Sequence, residues 1–279
     1  MRIGVGLPTT TPGTDGNLVI EWARRADAGP FSSLGVVDRV AYPSLEPIAA
    51  LSAAAAVTDN VRLVTMVVIG PLRSPALLAQ QAATLDLLSE GRLTLGLSIG
   101  ARHDDYDVCG IDPRRRGEIL SDQLAEIRQI WEDGTAGPTP NQPGGPDVLV
   151  GGSGGPAMQR MARSSDGFVH GGGPPRAFAA AAERARSAWI EAGRPGSPQL
   201  WGQAYFALGD VERGAAYLRD YYAFTGGFAE RIAAANLTTP NAVLDLVRGY
   251  RDAGCHHLVL LPTVSDLDQL ERLSEVVGQ

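Results

Sequence analysis

Residues 91–106 read GRLTLGLSIGARHDDY. Leu93, Leu95, Leu97 and Ile99 alternate with Thr94, Gly96 and Ser98, so this strand has one large apolar face and one nearly bare face. The apolar face suits packing on helices, and the bare face suits the interior of a barrel. Directly past Ile99 come Arg102, His103, Asp104 and Asp105, on what would be a βα loop, where barrel enzymes carry their chemistry. The first strand repeats the pattern, with Ile3, Val5 and Leu7 outward and Gly4 and Gly6 inward. Barrel interiors are normally filled by branched side chains, so glycines there are expected to leave space near the C-terminal mouth.

Outward from this stretch, short apolar runs alternate with amphipathic segments. Strands are predicted over 2–7, 33–38, 61–69, 93–99, 147–151, 167–171, 199–208 and 257–262. Helices fit over 17–28, 46–57, 75–89, 114–132, 155–165, 175–192 and 211–224, then 227–235, 240–253 and 266–277. Asp210 and Asp266 are placed as N-caps and Pro75 as a first-turn proline. Eight strands each followed by a helix predict an α/β chain folded as one (β/α)8 TIM barrel over residues 1–279. A doubly wound sheet would show GxGxxG after the first strand, which is missing here. Gly134 to Gly145, GTAGPTPNQPGG, reads as a flexible surface loop.

All 24 basic residues are arginine, and the net charge of −7 gives a nucleic acid's phosphates no basic patch. Cys109 and Cys255 match no metal or disulfide spacing, so a reducing cytoplasm is expected. No run approaches the about 18 apolar residues of a membrane span, and MRIGVGLPTT lacks the pattern of a secretory signal.

Three features carry chemistry. In VLVGGSGG, Val148 to Gly155, a strand enters a glycine turn and then a helix, so Gly151, Gly152, Ser153 and Gly154 could present backbone N–H groups to a phosphate. One repeat later GFVHGGGPP adds Gly171, Gly172 and Gly173, and two adjacent turns could pinch one phosphate. The end of the second strand, VVDRV, places Asp38 and Arg39 at the mouth, as an ion pair or as groups bordering a cofactor ring. His103 and His170 sit in predicted mouth loops. No HExxH, Cys/His cluster or GxSxG occurs, so no metal and no serine-hydrolase chemistry is expected.

At these residues the chain resembles the bacterial luciferase-like family of flavin- and deazaflavin-dependent oxidoreductases. The likeness is densest over Pro75 to Asp105, PALLAQQAATLDLLSEGRLTLGLSIGARHDD, and extends to LPTT, SLGVVDRV and VLVGGSGGPAMQRMARSSDGF. The resemblance implies a (β/α)8 barrel holding FMN or the deazaflavin coenzyme F-420 at its C-terminal mouth. It implies a cofactor phosphate at Gly152, Ser153, Gly154, His170, Gly171 and Gly172, and a ring against Met66, Val67, Val68 and Gly100. A non-proline cis peptide is implied within Met66 to Ile69.

Asp38, Arg39 and His103 are then the expected catalytic groups, although the family's deazaflavin dehydrogenases often carry Asp-His where Asp38-Arg39 stands. The insertion before strand five is shortened to Gly134–Pro146, which would leave the pocket open or leave its cover to a partner chain, as in a homodimer. The functions that fit are hydride transfer to or from a small organic substrate, or its monooxygenation. A non-catalytic flavin-binding protein and a barrel isomerase or lyase acting on a phosphorylated substrate are the alternatives.

Overall fold

In the computed structural model, which describes residues 1–278, nine parallel strand segments hydrogen-bond into one closed ring. Their chain order is β1 (Arg2–Gly6), α1 (Gly16–Ala28), β2 (Ser33–Val36), α2 (Pro47–Ala55), β3 (Arg62–Thr65), β4 (Val68–Ile69), α3 (Pro75–Leu88) and β5 (Leu93–Ser98). Then follow α4 (Asp104–Cys109), α5 (Arg116–Asp133), β6 (Asp147–Gly151), α6 (Gly155–Ser164), β7 (Gly167–His170), α7 (Pro175–Glu191) and β8 (Gln199–Phe206). The chain closes with α8 (Val211–Tyr221), α9 (Phe228–Ala234), α10 (Pro240–Asp252), β9 (His257–Pro262) and α11 (Leu267–Val277). Strand β1 pairs with both β2 and β9, and β3 with both β2 and β5, so no edge is left open. β3 and β4 are two pieces of the third barrel strand. The eight expected strands are therefore present, with that one interrupted.

The core divides as the alternation requires. Leu93, Leu95 and Leu97 are fully buried in the layer between strands and helices, with Val5, Leu7 and Leu34. A second cluster, which includes Val64, Leu149, Val169, Trp201, Val259 and Leu261, fills the barrel itself. The inward glycines leave no empty space, contrary to expectation. A Cβ on Gly6 would lie 2.6 Å from Leu261 Cδ2, and one on Gly96 would lie 2.2 Å from the Thr65 carbonyl oxygen. Neighbouring side chains and backbone occupy the volume that the missing Cβ atoms vacate, as close packing demands.

The interruption of the third strand is a one-residue bulge. Val64 stands opposite Thr94 and Val68 opposite Leu97, so four steps on one strand match three on the other. Thr65 bridges the gap: its Oγ1 accepts the Gly96 N–H at 2.7 Å and donates to the Gly96 carbonyl at 2.7 Å. The Met66–Val67 peptide in this bulge is cis, inside the stretch where one was expected.

The 134–146 segment carries no helix or strand, but it is anchored. The Gln142 N–H and its Nε2 donate to Asp86 at 2.8 and 2.7 Å, and Nε2 also donates to the Leu93 carbonyl. Leu93 begins β5, so the loop lies at the N-terminal end of the barrel, opposite the mouth. Its shortness therefore neither opens nor covers the mouth. Two further expectations change. Residues 104–109 form a short helix with an acidic first turn, closed by Gly110 at φ +67°. Asp210 caps α8 through Arg213 N–H, whereas the Asp266 carboxylate pairs with the Arg213 guanidinium at 2.7 Å and caps nothing.

Candidate active site

At the C-terminal ends of β2 to β8 lies a cleft of about 390 Å³. One wall is apolar: Met66, Val67 and Ile69 from the bulged third strand, with Val169 of β7. The facing edge is small and polar, made of Ser98, Gly100, Gly151, Gly152, Ser153 and Gly171. Gly151 is needed for this shape, because a Cβ there would sit 2.9 Å from Ser98 Cβ and 3.0 Å from Val67 Cγ2. Helix α6 starts at this edge. Its N-cap, Gly154, supplies no side-chain acceptor to the first turn, and a Cβ on Gly154, Gly155 or Gly171 would meet nothing within 4 Å. Pro156 has no N–H, but the first-turn N–H groups of Gly155 and Ala157, beside open space, form an anion-binding end.

Asp38 lines the cleft, but it does not pair with Arg39. Its Oδ2 accepts the Ile69 N–H at 2.8 Å and Arg73 NH1 at 2.6 Å, and its Oδ1 accepts Arg73 NH2 at 3.1 Å. Burial would lower the Arg73 pKa, but Asp38 and Glu46 beside it outweigh that and hold it above its ordinary value. Arg39 turns the other way. Its Nε donates to Asp105 at 2.8 Å and its NH2 to Asp104 at 2.7 Å. Asp105 also accepts the Val40 and Ala41 N–H groups, each at 2.8 Å, so every oxygen of this buried carboxylate is engaged. The acidic run after β5 is therefore the counter-charge of Arg39, and the Asp38 carboxylate is held by Ile69 and Arg73.

Of the other expected site residues, Met66, Val67, Gly100, Gly152, Ser153 and Gly171 line the cleft. Gly172 lines only a neighbouring cavity, and Gly154 stands one step back as the cap of α6. Three residues lie elsewhere. Val68 is buried among the helices because it alternates with Val67. His170 points the same way as Phe168: its ring packs edge-on to Phe178 at 5.7 Å, and burial beside Arg184 lowers its pKa. His103 is exposed at the start of α4 and does not line the cleft. Strand alternation removes the first two, and helix formation by the acidic run removes the third.

The cleft has a roof that the sequence motifs did not point to. Tyr221, Tyr222 and Phe224, at the end of α8 and in the 3-10 turn Ala223–Thr225 after it, hang over the opening. The Arg102 guanidinium lies among them, 4.2 Å from the Tyr221 ring centre and 4.4 Å from that of Phe224. Its NH2 donates to the Tyr221 carbonyl at 2.7 Å, and its buried Nε has no partner among the described residues. Tyr222 OH and Tyr205 OH are 2.8 Å apart. Burial raises the pKa of both phenols, so both stay protonated at neutral pH. In a chain with 6% aromatic residues, three within Tyr221–Phe224 was the available signal.

The sequence profile of the luciferase-like monooxygenases matches residues 1–254. An uncharacterized protein of Mycobacterium tuberculosis is 35% identical over 174 residues, which are 56% of this chain and 60% of that protein. The chain thus spans about three fifths of the length of that relative. An F-420-dependent secondary alcohol dehydrogenase, solved with an F-420–acetone adduct, superposes with a TM-score of 0.80 at 18% identity, over 99% of this chain and 98% of the other. The FMN complex of the oxygenating constituent of 3,6-diketocamphane monooxygenase from Pseudomonas putida gives 0.76 at 18% identity, over 100% and 97%. Both likenesses are of fold.

Proposed function

Because the chain belongs to the luciferase-like monooxygenase family, we propose that it is an oxidoreductase that holds a flavin-type cofactor, FMN or coenzyme F-420, in the mouth cleft and acts on a small organic substrate. One observation carries this reading: a single cleft joins an apolar shelf, Met66 and Val67, to an uncapped helix end at Gly152–Gly155. A flat ring needs the first and a phosphate needs the second. Of the two structural neighbours, one holds an F-420–acetone adduct and the other FMN.

The residues present fit such a group. Met66 and Val67 would back the ring, Ser98 and Gly100 would border it, and Gly152, Ser153 and Gly171 would surround the phosphate. The cofactor supplies the redox chemistry, as hydride transfer or, with FMN, oxygen activation. The chain supplies position and protons. Asp38 ties Ile69 and so holds the shelf. Tyr221, Tyr222 and Phe224 roof the cleft against water. In the Tyr205–Tyr222 pair one hydroxyl donates to the other, and the acceptor's own proton stays free for the substrate. This proton source stands in for the histidines, which face elsewhere.

Titration of FMN and F-420 side by side into the purified protein tests the reading. Saturable binding of one of them, at micromolar Kd, is expected. Failure of both to bind would overturn it.

A further inference from the structure

A second cavity, of about 560 Å³, adjoins the cleft. The two share Gly171, Tyr205 and Tyr222, and the hydroxyl pair of those tyrosines stands between them. The walls are Ala204 of β8, Phe228, Ile232 and Ala235 on and just past α9, and Leu246 of α10. Helix α9 is an extra element between α8 and α10, and it folds over this side of the mouth. Among the described residues no acidic side chain lines the cavity, although the chain as a whole carries a net charge of −7. The one cationic residue among the described lining residues is Arg231. Among the described residues Arg231 makes no ion pair, and the neighbouring Glu230 is taken by Arg219 at 3.0 Å.

We propose that this cavity is the substrate pocket and that the substrate is an organic monocarboxylate with a compact, ring-bearing apolar body; the assignment rests on the cleft being the cofactor site. The apolar body lies on Ala204, Ile232 and Leu246, with the Tyr205, Tyr222 and Phe228 rings offering faces for stacking. Its carboxylate reaches Arg231 at the rim, and its reacting end passes Tyr205 and Tyr222 into the cleft. An uncharged substrate would leave Arg231 without a role, and a dianion would have to bury a second charge against apolar walls.

The test uses 1-naphthylacetate and its neutral analogue 1-naphthylacetamide, titrated calorimetrically into the full chain with and without saturating cofactor. The acid should bind at least fivefold more tightly than the amide, and Arg231→Gln should erase that preference. Ala204→Phe should weaken both ligands at least tenfold while leaving cofactor affinity within twofold and the Tm near that of the parent. If Ala204→Phe does not fold, Ala235→Phe blocks the same cavity from the helix side.

No binding of either ligand, equal binding of acid and amide, or a preference that survives Arg231→Gln would overturn the proposal. So would a loss of cofactor affinity in Ala204→Phe, which would mean that the cofactor itself fills the cavity. Acid-selective binding in a chain that takes up neither FMN nor F-420 would support the pocket and sink the cofactor reading alone.

Discussion

The Asp38 carboxylate accepts the Ile69 backbone N–H at 2.8 Å across the third strand's bulge. The end of β2 therefore holds the segment that carries the Met66–Val67 shelf. The same carboxylate grips Arg73 with both oxygens, while its chain neighbour Arg39 serves Asp104 and Asp105.

Asp38→Asn should thus act on the fold as well as on the cleft. It leaves Arg73, which is mostly buried, with only the half-exposed Glu46 carboxylate, 3.2 Å away, as counter-charge. The expected loss is about 2–3 kcal/mol, the range for breaking a buried, hydrogen-bonded pair. Urea unfolding of double-mutant cycles identifies the partner. Asp38 and Arg73 should couple by about 1–3 kcal/mol and Asp38 and Arg39 by under about 0.5 kcal/mol, since they share no partner. Strong Asp38–Arg39 coupling would contradict the geometry.

Gly96 and Ser98 lie on the same face of β5 but should respond differently. A Cβ at Gly96 meets the Thr65 backbone oxygen, which cannot move aside as a flexible side chain can, so Gly96→Ala should cost about 3 kcal/mol. Ser98 borders the cleft, so Ser98→Leu should reduce cofactor affinity at least tenfold with little change in Tm. Melting curves and cofactor titrations of the two variants would show a reversed order if the cleft lay elsewhere.

Ser153→Asp places a carboxylate at the uncapped start of α6. The added charge satisfies the helix end and repels a phosphate there. At least a tenfold loss of FMN or F-420 affinity is expected, with the fold retained. An unchanged Kd would remove the glycine turn from the site.

The floor of the barrel should sense pH. Burial, with Arg2 and Arg62 close by, pushes the His257 imidazole down to about 4, and the ring stacks on Trp201 at 3.9 Å. In the unfolded chain it titrates near 6.5. As pH falls from about 6.5 to 4 the unfolded state takes up the proton and the native state does not, so stability falls across that window and not above it. Because the ring is partly exposed, the loss should stay below about 2 kcal/mol. His257→Gln should flatten the stability difference between pH 7 and pH 5 relative to the parent, as read by urea midpoints. Parallel pH profiles for the two proteins would count against the assignment.

Much of this molecule was legible in its sequence. The alternation of Leu93 to Ile99 announces a strand with an apolar face for the helices and a bare face for the barrel interior, and the spacing of the apolar runs announces eight βα units. Those are local properties: side chains alternate along any strand, and a helix takes its period from 3.6 residues per turn. The glycine turn at Gly151–Gly154 is local in the same sense, and it lies where the sequence puts it, at a strand's end before a helix.

Partner choice lay beyond that reach. Asp38 and Arg39 are adjacent, yet Asp38 finds Arg73 and Arg39 finds Asp105, because adjacent residues at a strand's end leave in different directions. His170 lost its expected role to a one-residue alternation, and Gly96 proved to be filled space because Thr65 crosses from a strand 31 residues away. The Tyr205–Tyr222 contact and the cavity beyond it arise only when α8 and α9 fold back over β8. Periodicity is written in each segment, whereas an ion pair or a cavity wall joins segments whose separation is set only when the ring closes.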